Sequence, residues 1–191
     1  MNTIEGICSV EEIRQVKYRY LRCLDLKLWD ELGDTLTESA VLDFGTTDFG
    51  TPLEIAGRTE IVAFNRTKFG AGTLTAHTAA QPEITVDGDT AAGVWSLRDM
   101  LLATRHGMII TAAAFHYDRY ERGADRCWRI ARSSYARSYE AMVSLSDLPS
   151  FKIISALGGE PAEKATADAI AGAGASGGEA GPGGRSAPRG R

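Results

Sequence analysis

Asp25 stands where a carboxylate is hard to accommodate. The segment around residues 13–29 reads as an amphipathic helix in which Val10, Ile13, Val16, Tyr20, Leu21, Leu24, Leu28 and Leu32 cover one wide arc at about 100° per residue. Tyr20 falls in the middle of that arc, and Asp25 at its edge between Leu21, Leu28 and Leu32. A carboxylate facing a packed interior is costly unless something pairs with it. The best partner in the sequence is a lone histidine far along the chain, His77. Tyr18, about 200° around the helix from Tyr20, reads as surface.

Further polar residues share faces with apolar ones. In Gly93-Val94-Trp95-Ser96-Leu97-Arg98-Asp99-Met100-Leu101, strand alternation puts Trp95, Leu97, Asp99 and Leu101 on one side. An acid in line with a tryptophan and leucines is unexpected on an outer face, unless it pairs there with Arg98 or Arg132. Arg137 shares a face with Tyr135, but Trp128 and Ile130 have the opposite parity. Both ends of that strand face the core only if a bulge intervenes. His116 follows three alanines that either leave room for a ligand or fit a tightly curved sheet, and His106, beside Gly107, reads as an exposed turn residue.

The elements that must position these groups divide in two. Ser9 and Glu12 have the spacing of a capping box that opens the first helix, which the apolar arc carries to about Leu32. A short strand over 40–44, a loop over 45–52 and a second helix from Gly57 to about Phe69 follow. Then the period changes to two: 74–78, 83–86, 90–104, 107–122 and 126–139 read as strands, with turns at Asp87-Gly88-Asp89 and at residues 122–125. Helices followed by an antiparallel meander predict an α+β domain over residues 1–157, its helices packed on one face of a strongly curved sheet that encloses a conical cavity. Residues 158–191, rich in glycine and alanine, predict a disordered tail, because almost no large apolar side chain is left to offset chain entropy.

Composition narrows the classes further. The formal net charge of −4 gives no reason to expect nucleic acid or an anionic membrane as partner. No apolar run approaches the roughly 20 residues needed to span a bilayer. The first residues lack a basic segment followed by an apolar one, so a secretory signal is not expected and a cytoplasmic location is. Three separated cysteines and three histidines without metal-ligand spacing predict neither a disulfide framework nor a metal site.

Several stretches together resemble the SnoaL-like, NTF2-like superfamily, above all the branch containing scytalone dehydratase and bile acid 7α-dehydratase. They are Ile13-x-x-x-Lys17-x-x-Tyr20-x-x-x-Leu24-Asp25-x-x-x-Trp29-x-x-Leu32, the passage Leu36 to Phe44, Gly57-Arg58-x-x-Ile61, Thr75-x-His77, Ile84-x-Val86-x-Gly88-Asp89-x-Ala91, and Asp118-x-Tyr120-x-Arg122 followed by Trp128-Arg129-Ile130. The resemblance covers roughly residues 9–142.

It implies an NTF2-like cone and a set of roles. Asp25 would orient His77 as a base that removes a proton next to a carbonyl. Tyr20 and Asp99 would hold the carbonyl or the leaving oxygen. Arg137 would anchor an acid group of the substrate, and with Tyr135, Trp95 and His116 it would bind a hydrophobic steroid- or polyketide-like molecule. The physics of such a dyad is sound, since a carboxylate on one imidazole nitrogen fixes the tautomer and stabilises the imidazolium. The expected activity is a cofactor-independent lyase of the dehydratase kind, acting as a homodimer or homotrimer. A ketosteroid-isomerase-like or cyclase reaction uses the same proton abstraction, and non-catalytic binding or assembly domains also occur in the superfamily. Read alone, Asp25 is also a helix-edge charge and His77 a satisfied strand histidine.

Overall fold

In the computed structural model the described residues are 4–46 and 52–156. The tail expected over 158–191 and most of the loop expected over 45–52 lie outside them. Two helices, α1 (Ile4–Leu26) and α2 (Trp29–Asp34), precede strand β1 (Leu36–Thr46), strand β2 (Pro52–Ala56) and helix α3 (Arg58–Phe69). Four long strands follow: β3 (Thr73–Asp87), β4 (Thr90–Ala103), β5 (Met108–Arg122) and β6 (Trp128–Ser144). They form one six-stranded sheet in the order β2-β1-β6-β5-β4-β3. Within this sheet β1 and β6 pair in parallel and the other neighbouring strands antiparallel. This is the α+β architecture expected from the sequence, with α1 packed chiefly on β3 and α3 on β1.

The core lies between α1 and the sheet. Ile13, Leu21, Leu24, Leu28 and Leu32 are buried against Leu36, Leu42, Leu97, Tyr120, Trp128 and Ile130. Truncating such a leucine to alanine typically costs about 2–5 kcal/mol. Gly88 opens the two-residue β3–β4 hairpin at φ +58°, a conformation that suits glycine at the first central position.

The structure corrects several boundaries. Ser9 is buried inside α1 and does not cap it, since the helix already runs from Ile4. The apolar arc does not extend as one helix to Leu32. It breaks at Lys27, whose φ is +64°, and restarts at Trp29. The strand expected over 40–44 is longer, and β2, where Leu53, Glu54 and Ile55 alternate over five residues only, is a further strand too short to stand out in the sequence. The segments 74–78 and 83–86 belong to a single strand, interrupted where Gln81 adopts φ +51° and Pro82 offers no N–H to the ladder.

Candidate active site

Alternation along the strands brings the chemistry-bearing residues onto the concave face. His77 of β3 stands directly opposite Asp99 of β4, which in turn faces Ala112 of β5. Nearer the other end, Trp95, His116 and Tyr135 form a second cross-strand row, and Gly93, Asp118 and Ser133 a third. The parity conflict in β6 is resolved by the bulge it demanded. Ile130 pairs with Tyr120 and Arg132 with Arg119, so Ala131 is the extra residue. Trp128 and Ile130 before it and Ser133, Tyr135 and Arg137 after it therefore all turn inward. A second irregularity at Ser138 lets Glu140 join them.

These rows and the helices enclose a cavity of about 730 Å³, within the usual range for small-molecule sites. Tyr20, Asn65, His77, Asp99, His116, Tyr135 and Arg137 line it among Leu24, Leu97, Leu101, Ile110, Phe44, Phe64 and Phe69. Ala112 and Ala114 form part of its floor, and their short side chains leave the space open.

Asp25 stands behind His77, facing a shallow depression on the other side of it. Its Oδ1 lies 2.6 Å from His77 Nδ1, its Oδ2 accepts the His77 main-chain N–H at 2.9 Å, and Thr75 Oγ1 donates to Oδ1 at 2.8 Å. Lys27 Nζ donates to that same Thr75 hydroxyl at 2.9 Å. An ammonium can only donate, so the Thr75 O–H points at Asp25. Burial pulls the Lys27 ammonium down to about 8, with Asp25 acting in the opposite direction. The helix break at Lys27 thus turns this side chain back toward the dyad. Among the described residues none bonds His77 Nε2, and His77 is part of the cavity wall.

Asp99 faces His77 across the strand pair and makes no ion pair with Arg98 or Arg132. Arg132 pairs instead with Asp43 and Glu54. Asp99 Oδ1 is buried with no hydrogen-bond partner among the described residues. Burial pushes its carboxyl above the ordinary range, opposed by His77 and Arg137. Tyr20 is buried, and that burial, reinforced by Asp118, pushes its hydroxyl well above the usual tyrosine value.

Arg137 reaches the cavity with its charge already partnered. Its Nε lies 2.8 Å from Glu140 Oε2, and its guanidinium sits 5.0 Å over the Tyr135 ring. An incoming carboxylate must compete with Glu140. Trp95 is not brought to the cavity. It is fully buried behind the wall, where Nε1–H donates to Tyr120 Oη at 2.9 Å. Its parity was right, but its end of the row is covered by α1, with the Tyr18 ring 6.0 Å from its own.

Sequence reading missed the charged cluster behind that wall. Lys17 and Asp118 are both fully buried and form an ion pair at 2.7 Å. Asp118 also accepts hydrogen bonds from Tyr120 Oη at 2.7 Å and Ser133 Oγ at 2.6 Å. Burial raises the Asp118 carboxyl, but Lys17, His116 and the Ser133 bond outweigh it and hold it below its ordinary value. The signal was present: Lys17 is four residues after Ile13 and three before Tyr20, on the line of the buried arc. Asp118 likewise alternates with His116 and Tyr120.

A helix-capped, curved mixed sheet with a polar cluster inside an apolar cone is the NTF2-like architecture. The SnoaL-like domain model matches residues 5–134, and the chain belongs to that family. Among solved structures it is similar to the Kfla4162 protein of Kribbella flavida, with 25% identity and a TM-score of 0.62 over 69% of this chain and 91% of that one. It is also similar to a putative scytalone dehydratase from Novosphingobium aromaticivorans, at 15% identity and a TM-score of 0.61, covering 78% and 92% of the two chains. A third is the hexachlorocyclohexane dehydrochlorinase LinA-type3 of Novosphingobium barchaimii, at 15% identity and a TM-score of 0.62, over 78% and 97%. At 15% identity the last two likenesses are of fold. Among the described residues no helix is long and apolar enough to cross a membrane.

Proposed function

We propose that this protein is a cofactor-independent lyase of the dehydratase kind. In this reading His77 Nε2 takes a proton from the carbon next to a substrate carbonyl. The C–H electron pair becomes the new double bond, and a hydroxyl on the adjacent carbon departs with its C–O pair. Asp99, in its protonated form, gives the departing oxygen its proton, so that water leaves; burial raises that carboxyl above its ordinary range. The proton on His77 returns to Asp99 through solvent when product exits. Tyr20 donates to the substrate's oxygen.

The observation that carries this reading is the 2.6 Å contact between Asp25 and His77 at the wall of a largely apolar cavity. The carboxylate keeps the proton on Nδ1 and so leaves Nε2 unprotonated, and it stabilises the imidazolium that proton abstraction creates. The apolar lining favours a hydrophobic ring or polyketide-like substrate. Two fold neighbours carry eliminations in their names, a dehydratase and a dehydrochlorinase, which is the same direction.

The test is a screen of fused-ring β-hydroxy ketones for the ultraviolet gain of a conjugated enone, repeated with His77→Gln. Elimination that is lost in the variant supports the reading. Double-bond migration or ring closure without loss of water replaces it with an isomerase or cyclase that uses the same base. Unchanged turnover in the variant removes the base.

The same reading includes a homo-oligomer. Met100, Phe115, Tyr117 and Tyr139 lie about half exposed on the outer face of β4, β5 and β6, an apolar surface that a second copy would cover. Light scattering on the purified chain tests it: a dimer or trimer is expected, and a monomer at micromolar concentration contradicts it.

A further inference from the structure

The proposed reaction gives His116 no task. His116 lies in the wall, with its ring stacked on Tyr135 at 5.4 Å and 19°. Its Nδ1 faces backward to Lys17 Nζ, 3.4 Å away, and Lys17 is held in turn by Asp118. Neither Lys17 nor Asp118 lines the cavity. An ammonium has no lone pair, so Nδ1 must be the acceptor and the ring proton must sit on Nε2. The two ring nitrogens point in divergent directions, so an Nδ1 turned toward Lys17 leaves Nε2–H facing away from that pair. Among the described residues nothing accepts a hydrogen bond from it.

Resting on the lyase reading above, we infer that His116 is a further catalytic residue: its neutral Nε2–H donates a hydrogen bond to the substrate oxygen that gains negative charge when His77 removes the proton, and Lys17 is the positioning residue that fixes its tautomer. The role is stabilisation and not proton transfer. Burial and the adjacent Lys17 ammonium drive the His116 imidazole down to about 3, with Asp118 opposing, so the imidazolium that a general acid would need is not formed near neutrality. A fixed neutral donor needs no reorganisation as charge develops on the oxygen. The groups that act on or stack against His116 are Lys17 on α1, His77 on β3, Asp118 on β5 and Tyr135 on β6. Only Asp118 among them carries a charge that favours imidazolium, and Lys17 already neutralises it.

Two measurements on the full chain test this. Long-range ¹H–¹⁵N correlation of histidine-labelled protein should find His116 as the neutral Nε2–H tautomer from pH 8 to pH 5. An Nδ1–H tautomer, or an imidazolium at pH 6, overturns the inference. The second uses 2-naphthol, a planar apolar molecule whose ionisable oxygen stands in for the enolate, and its more acidic nitro derivatives. Wild type should bind the nitro derivatives more tightly as acidity rises. His116→Phe, which keeps the stack on Tyr135, should lose at least tenfold in affinity and lose that trend, while His116→Gln, which restores an N–H, should fall between. Equal affinity in wild type and His116→Phe, or binding to neither, overturns it. The tautomer measurement does not depend on turnover, so failure of His77 as the base and failure of His116 as the donor are read separately.

Discussion

Asp25 grips His77 twice, with one carboxylate oxygen on the ring at 2.6 Å and the other on the main-chain N–H at 2.9 Å, across 52 residues of sequence. The second contact fixes the carboxylate to the strand backbone and the first fixes the ring to the carboxylate. Asp25→Asn is therefore expected to preserve the fold while removing the charge that sets the tautomer and stabilises the imidazolium. The loss in kcat should be on the order of 10²–10⁴. Steady-state kinetics on whichever hydroxy ketone turns over checks this, and a loss below tenfold assigns Asp25 to packing.

Lys17 and Asp118 give a stability prediction. Breaking a fully buried ion pair by removing one partner leaves an uncompensated charge and typically costs about 3–5 kcal/mol. Lys17→Met is expected to lower the melting temperature by about 10 °C or more, at roughly 2–4 °C per kcal/mol for a chain of this size. Lys17→Met with Asp118→Leu should recover part of that loss, since no buried charge is then left alone. Differential scanning calorimetry of the three proteins distinguishes the pair from simple packing.

Acid should unfold this protein through His116. In the unfolded chain that imidazole takes up a proton near 6.5, whereas in the folded protein it does so only at about 3. Between those values the unfolded chain binds more protons, so stability is complete above about pH 6.5 and falls as pH drops toward 3. Asp118, held below its ordinary value, adds to the loss at the acid end. Urea titrations at pH 7, 5.5 and 4.5 should show a falling midpoint, and His116→Phe should flatten that dependence.

The size of the cavity depends on two small side chains. Ala112 and Ala114 line it and are nearly fully buried. Ala112→Leu should weaken binding of fused-ring ligands more than binding of 2-naphthol, because the added atoms enter the space between Asp99 and Glu140. Isothermal titration with ligands of one to four rings measures the split, and a uniform effect across ring number contradicts it.

Some of these residues are legible in the sequence and others are not. Tyr20 and Asp25 were legible because a helix has a fixed angular period, so a polar group on an apolar arc stands out at once. The bulge at Ala131 was legible as a contradiction, since Trp128 and Arg137 cannot both face inward without it. Lys17 lies on the same arc but reads as an ordinary solvated lysine, because only tertiary packing reveals that Asp118 lies opposite it. Trp95 was assigned the correct face but the wrong surroundings, because alternation fixes a side of the sheet and says nothing of what roofs each row. The break at Lys27 also escaped: the apolar arc continues through it, and a left-handed lysine carries no signature in the sequence. The Lys27–Thr75–Asp25 chain, which depends on that break, was hidden with it.

In the proposed mechanism His77 removes a carbon-bound proton. The most direct test of that step is proton exchange in D₂O, followed by nuclear magnetic resonance at the carbon next to the carbonyl of a hydroxy ketone that the protein converts. Wild type should remove that proton with catalytic turnover, and His77→Gln, folded to the same melting temperature, should remove it at least about 100-fold more slowly. Loss of the proton at the wild-type rate in His77→Gln contradicts the claim.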